Sequence, residues 1–242
     1  MGIRAIRRAL AFLENTPMHP QWFALRGLAD SRRLIAGEAR GVTLDVGCGR
    51  QVVRQAVEGV GARYVGLDYL ETAREWYGTR PDVYGDAHEL PVASAAVDRV
   101  LLLDVLEHLA DPGRCLREIH RVLKPRGRLV IEVPFLYPIH DAPRDFQRWT
   151  VFGLAELAQR HDFIVRHAAH IGHPLETACL LFNIALCNTA ISWVRQRRPA
   201  ALLGLLVPPL VLMFNVLAWL LAKLSVADDM MPSGYRLILE KP

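Results

Sequence analysis

The sequence predicts an α/β fold: a doubly wound, seven-stranded, mostly parallel sheet with a hydrophobic helical insertion before the last strand. Three observations carry this. Short β-branched and apolar runs alternate with helix-compatible segments from residue 41 onward. The first run, Thr43 to Val46, closes on Gly47-Cys48-Gly49 and passes at once into a polar, helix-compatible segment. The last run, residues 235–240, stands alone behind two long uncharged stretches.

The elements follow in order. Residues 1–40 read as an N-terminal helical segment. Within it, Ile3, Ile6, Leu10 and Leu13 fall on one helical face, with Arg4, Arg7 and Arg8 on another. Such a helix can lie on a membrane or pack on the domain. Residues 41–168 form the core, with strands expected at 43–46, 64–67, 83–84, 99–103, 128–133 and 163–167. Helices are expected near 52–57 and 113–123, the latter stopping at Lys124-Pro125-Arg126-Gly127. Residues 169–233 form the insertion, and 234–242 return as the seventh strand.

Bulk properties narrow the function. The chain has 242 residues, is 52% hydrophobic and carries a net charge of +4. Its mean hydropathy of +0.16 is high for an enzyme core, and the excess is local to the insertion. Without long basic runs interleaved with aromatics, no nucleic-acid partner is expected. Cys48, Cys115, Cys179 and Cys187 make no CxxC pair and no zinc-spaced cluster, so they read as free thiols in a reducing compartment, and no metal is expected. No apolar h-region follows the N-terminal arginines, so no secretory signal is expected, and Ile6 stands where a myristoylation site wants Ser or Thr.

The glycine turn lets backbone N–H groups approach a ligand at a helix start. Further signals follow in order: Val65-Gly66-Leu67-Asp68, Gly85-Asp86-Ala87 with Glu89-Leu90-Pro91, the run from Val97 to Leu109 ending in Asp111-Pro112, and Leu123 to Gly127 before a strand. As a set these resemble the motifs of class I S-adenosylmethionine-dependent methyltransferases of the type 11 kind, whose fold is Rossmann-like. The resemblance covers roughly residues 40–168 plus the last strand. It implies S-adenosylmethionine as cofactor, with Asp45, Gly47, Cys48 and Gly49 at the glycine turn. Asp68 would take the ribose hydroxyls, Asp86 and Ala87 the adenine edge, and Tyr69, Leu103 and Leu106 the pocket walls. Two residues depart from the pattern: Gln51, where many members carry a third glycine, and Val97, where an aromatic is common. Val52 also breaks a dinucleotide-type G-x-G-x-x-G, which disfavours a nicotinamide dehydrogenase.

Methyl transfer needs proximity, orientation and sometimes a base. Candidate bases should follow strands four and five. His140 is the first candidate catalytic residue and His108 the second. Residues 134–150 pack Tyr137, His140, Asp141, Arg144, Asp145 and Arg148 into one segment, which resembles a stretch of methyltransferases associated with glycan and cell-envelope biosynthesis. Tyr137, Asp141, Arg144, Asp145 and Arg148 are the candidate substrate contacts. The alternative is a bonded loop in which Asp145 and Arg148 hold each other.

Within the insertion, residues 177–194 and 200–222 carry no charge, and Arg195 to Pro199 separates them. A helix of 23 residues spans about 35 Å, against a hydrocarbon core of about 30 Å. Two crossings would put Arg195, Arg197 and Arg198 on the far side, against the positive-inside tendency. Pro208-Pro209 can break the second stretch. The favoured reading is a monotopic hairpin on the cytoplasmic side of a membrane; the other is a cap or dimer interface in a cytoplasmic protein. The expected function is methylation, by O-methyl transfer, of a small-molecule or lipid-linked acceptor, such as an envelope glycan intermediate or a quinone-like lipid. Rivals are C-methylation of an isoprenoid lipid, or a non-catalytic assembly partner.

Overall fold

The computed structural model describes residues 13, 16–226 and 228–242. Apart from Leu13, the helix expected over 3–14 lies outside the described residues. The chain divides into two compact units. One comprises residues 31–135, 139–170 and 234–242; the other comprises the described residues among 136–138, 171–233 and those before 31.

In chain order the elements are α1 (Trp22–Glu38), β1 (Val42–Val46), α2 (Arg54–Gly59), β2 (Arg63–Asp68), a π-helical turn (Thr72–Tyr77), β3 (Val83–Tyr84) and β4 (Val97–Leu103). There follow a 3-10 turn (Leu106–His108), α3 (Pro112–Val122), β5 (Leu123–Pro134), α4 (Val151–Arg160), β6 (Ile164–Ile171), α5 (Pro174–Arg195), a 3-10 stretch (Pro199–Leu206), α6 (Val207–Lys223) and β7 (Gly234–Glu240).

The seven strands form one sheet in the order β3-β2-β1-β4-β5-β7-β6. β1 pairs in parallel with β2 and β4, and β4 with β5, whereas β7 runs antiparallel to β5 with Leu129 opposite Leu239. The order reverses between β1 and β4, which opens a crevice beyond their carboxyl ends. Alternation along β1 sorts its side chains. Leu44 and Val46 enter one apolar cluster with Leu102, Leu116 and Ile131. Cys48 and Tyr64 enter the other, with Ile35 and Val130.

Local chemistry sets the boundaries. Asp111 caps α3 by accepting the Arg114 N–H at 2.9 Å, with Pro112 at the first helical position. Thr150 caps α4 by accepting the Gly153 N–H at 3.2 Å. The helix stop expected at residues 124–127 ends α3 at Val122, but the chain is already in strand there. β5 starts at Leu123, and its register against β4 shifts between Val97 and Arg99, where Arg126 takes a φ of 60°.

In the other unit, the second uncharged stretch is divided as the prolines suggest: Pro208 and Pro209 sit in the first turn of α6, where their missing N–H groups cost no helix bond. Buried positions on α5 and α6 include Thr177, Asn183, Asn215 and Ala218. Asn183 Nδ2 donates to Asn215 Oδ1 at 2.9 Å, and Asn215 Nδ2 donates to the carbonyls of Pro17 and His19 at 2.7 and 3.0 Å.

Candidate active site

The crevice at the switch point is a cavity of about 330 Å³, within the range of small-molecule sites. Its near wall is Val46, Gly47, Leu67, Asp68 and Tyr69; Gly85, Asp86 and Ala87 form one flank. Asp104, Val105 and His108 face them, with Asp141, Arg144 and Phe146 beyond.

The glycine turn is built for close approach. Gly47 has a φ of 75°, and a Cβ there would sit 2.4 Å from Val105 Cγ2. Gly49 has a φ of 48° and donates its N–H to Asp68 Oδ2 at 2.9 Å, while Asp68 Oδ1 accepts the Tyr69 N–H at 2.7 Å. Asp68 is buried, and burial raises its carboxyl against the pull of those two N–H groups. A carboxylate offers about four acceptor directions, so each Asp68 oxygen keeps capacity for a hydroxyl of a ligand. Asp86 accepts the His88 N–H at 2.8 Å and meets His88 Nδ1 at 2.7 Å.

Five of the expected cofactor residues lie off the cavity wall: Asp45, Cys48, Gly49, Leu103 and Leu106. Asp45 points into the opposite layer, where its Oδ2 accepts the Tyr64 hydroxyl at 2.5 Å. Burial raises it to about 7, and the nearby Asp68 charge adds to this. Strand alternation is the reason: with Val46 facing the cavity, Asp45 must face away. The Cys48 side chain packs in the same layer as Tyr64, and burial pushes its thiol up to about 12. Leu103 packs against that cluster too, while Leu106 is fully enclosed in the main core.

The acceptor side brings other residues together. His108 Nδ1 lies 2.7 Å from the Arg144 carbonyl, which can only accept, so Nδ1 carries the proton and Nε2 does not need one. Desolvation holds this imidazole below its usual range. The His140 ring meets it edge-on, with centroids 4.9 Å apart. Asp145 accepts the His140 N–H at 2.9 Å and both Arg148 terminal nitrogens, at 2.5 and 2.7 Å. The guanidinium holds the Asp145 carboxyl down at about 2. Asp145 and Arg148 therefore form the mutually bonded pair, and neither is on the cavity wall. Arg144 is on it, paired with Glu71 at 2.7 Å and facing the Tyr69 and Trp76 rings. Asp141, with a φ of 49°, also lines it. Tyr137 belongs to the other unit, where its hydroxyl accepts from Gln21 Nε2 at 2.6 Å.

Two further acids stand here: Asp104, which the sequence reading did not single out, and Glu107, which it noted only beside His108. Asp104, just past β4, has a φ of 52° and is exposed on the cavity wall. Desolvation by the neighbouring protein, and then the Glu132 charge, raise its carboxyl. Glu107 is fully buried, which raises it to about 8, with Asp104 adding to the shift. Both stood in the Leu103 to His108 run, but a strand-end Asp reads as a turn former, and nothing local shows a left-handed backbone.

Comparison with known proteins bears on the core. Residues 44–131 match the model of a family described as "Methyltransferase domain". Those residues form a methyltransferase domain of the kind that uses S-adenosylmethionine. It is 36% identical over 96 residues to a protein of Mycolicibacterium smegmatis named "Probable S-adenosylmethionine-dependent methyltransferase", covering 38% of this chain and 37% of that one. It is 30% identical over 161 residues to the ubiquinone biosynthesis O-methyltransferase of Pseudomonas paraeruginosa, covering 61% and 63%. The chain thus spans less than two thirds of either relative. Among solved structures, a SAM-dependent methyltransferase from Archaeoglobus fulgidus shares the fold, with a TM-score of 0.57, 16% identity, and coverage of 96% and 99%.

The methyltransferase domain's cavity fits this cofactor. Asp68 presents a buried carboxylate with spare acceptor capacity, Gly47 leaves the space a Cβ would fill, and Asp104 and Asp141 make the wall acidic, as a sulfonium requires.

Proposed function

We propose that this protein transfers the methyl group of S-adenosylmethionine to a hydroxyl of a lipid-like acceptor held at the cytoplasmic face of a membrane. The cofactor, when bound, supplies an electrophilic sulfonium methyl. The observation that carries the reading is the join of two surfaces in one cavity: the Gly47 and Asp68 cradle, and opposite it His108.

His108 lines the cavity with its tautomer set by the Arg144 carbonyl, so His108 takes the hydroxyl proton and His140 supports it. This reverses the order expected from sequence. Arg144, Tyr69, Trp76 and Phe146 form a cationic and aromatic wall that suits a flat, oxygen-bearing headgroup.

The lipid-like acceptor is supported by the helical unit. Its two long helical segments, Pro174–Arg195 and Pro199–Lys223, have mean hydropathies of 1.5 and 2.2, with only 22% and 17% of their apolar windows buried. Large side chains such as Phe182, Leu202 and Leu205 point outward, while Asn183 and Asn215 pair inside beside Leu180 and Val211, a pattern that suits an apolar surround. A leaflet-embedded hairpin matches that pattern, with Arg195, Arg197 and Arg198 at headgroups. The likeness to an enzyme named for ubiquinone biosynthesis points to a quinone-like acceptor ring.

The test is transfer from methyl-labelled S-adenosylmethionine to membrane lipid extract. We expect label in the organic phase, released as methyl iodide by hydriodic acid, as an ether requires. Label resistant to that cleavage would mean C-methylation, and no lipid label would sink the acceptor. The His108→Ala variant should lose about 10²–10⁴-fold in turnover with cofactor affinity unchanged; normal turnover would remove His108 as the base.

A further inference from the structure

Glu107 and His108 share the short turn after β4, and His140 arrives from the loop after β5. Glu107 Oε1 lies 3.6 Å from His108 Nε2 and 3.7 Å from His140 Nε2. One donor atom from each of the three falls within 4.8 Å of the other two. Glu107 is fully buried, and neither of its carboxylate oxygens has a hydrogen-bond partner among the described residues. A buried carboxylate with no partner is unfavourable, and proteins ordinarily match it with a counter-group.

We propose that Glu107, His108 and His140 bind one divalent transition-metal cation of the zinc, cobalt(II) or iron(II) kind. Four-coordinate zinc with bonds of about 2.0–2.1 Å places its ligand atoms about 3.4 Å apart, so the two Glu107–histidine separations need close by only a few tenths of an ångström, and the two imidazole nitrogens, within 4.8 Å of each other, draw together around the cation. Two imidazoles and one carboxylate disfavour calcium and magnesium, which take oxygen donors. The supporting groups suit the role. The Arg144 carbonyl fixes the proton of His108 on Nδ1 and turns the Nε2 lone pair toward Glu107. His140 Nδ1 lies 3.4 Å from Asp145 Oδ2. Arg148 Nη2 lies 3.5 Å from the same ring nitrogen, with its charge balanced by its two bonds to Asp145.

Three protein ligands leave a coordination position open, and His108 lines the cavity. The inference rests on the hydroxyl-acceptor reading above and deepens it. An acceptor hydroxyl on the cation becomes acidic and its proton passes to water. Its oxygen then forms the O–CH3 bond as the S–CH3 bond breaks. In the cation-bound protein the two histidines serve as ligands, and the cation takes over the activation of the hydroxyl assigned to His108 above.

The experiment is uptake of cobalt(II) by tag-free, chelator-stripped full-length protein, followed by its visible ligand-field absorption, with zinc displacement as the check. We expect one equivalent per chain. Glu107→Gln and His140→Ala should each weaken uptake at least 10–100-fold, the loss that even outer partners of a metal ligand cause. S-adenosylmethionine binding, measured in the same samples, should be unchanged and reports folding; should Glu107→Gln fail to fold, His108→Asn supplies the comparison. Absence of stoichiometric uptake, or uptake equal in wild type and variants, overturns the site. Methyl transfer to the hydroxyl at full rate by metal-free protein overturns the cation's role. Cobalt uptake that needs these residues, without any O-methylated product, leaves the site standing and fells the acceptor reading instead.

Discussion

The two units differ in what they bury and what they expose. In the sheet unit the interior is aliphatic: Leu116, Leu129, Leu237 and Leu239 have no exposed surface, and the buried acids other than Glu107 are bonded. Glu132, for instance, meets Arg236 and accepts the Ser31 hydroxyl. In the helical unit the interior holds Asn183 and Asn215 at 0% exposure, while Leu202 and Leu205 are 74% and 77% exposed. Water drives the first arrangement by expelling apolar area. It cannot drive the second, where hydrogen bonds between helices gain most when an apolar medium surrounds them. Hydrophobic content alone therefore says little; its direction separates an aqueous fold from one that suits lipid.

The comparison can be broken first at the cavity. Asp68→Ala removes the acceptor offered to a ligand diol and frees the Gly49 N–H, so S-adenosylmethionine affinity should fall about 100-fold by calorimetry. Binding like wild type would deny the cradle its role. In the helical unit, Asn215→Leu strips Asn183 and two backbone carbonyls of their partner. It should cost roughly 2 kcal/mol in denaturant titrations in detergent; an equally stable variant would mean that the polar interior is incidental.

A smaller effect sharpens the outward face. Leu202→Glu with Leu205→Glu should reduce flotation with anionic lipid vesicles about tenfold and leave cofactor affinity alone. Unchanged flotation would point to a protein partner or a cap. The smallest effect concerns Asp45. Its folded value, about 7, lies above the ordinary 3.8 of an unfolded Asp. The native state therefore holds that proton to higher pH. The stability this contributes is full below about pH 4 and is lost as pH rises through about 7. Asp45→Asn should then gain on wild type at about pH 8 and lose that advantage toward about pH 4, read by urea denaturation. A difference that does not move with pH would place the Asp45 proton elsewhere.

Much of this was legible because it is local. Thr43 to Gly49 declared a strand and a tight turn, Asp111-Pro112 and Thr150 declared helix starts, and Pro208-Pro209 declared a break in the apolar run. Asp68 followed from its place at the end of the second strand. What escaped depends on which way a side chain points and on what comes to meet it. Asp45 was expected at the cofactor, yet it sits one residue from Val46 on a strand whose faces alternate, and the Tyr64 hydroxyl claims it. Leu106 was expected on the wall and is sealed in the core. Asp104 depends on a left-handed backbone that no neighbouring residue announces.

The sequence by itself determined the order of strands and helices, the glycine turn and the presence of a long apolar insertion, because propensity, caps and breakers act within a few residues. Only the tertiary structure decided that His108, His140 and Glu107 converge, that Asp145 and Arg148 are tied to each other, and that the insertion turns its leucines outward around two asparagines. Those arrangements join residues far apart in the chain, and the distances between them are set by how the strands and helices pack.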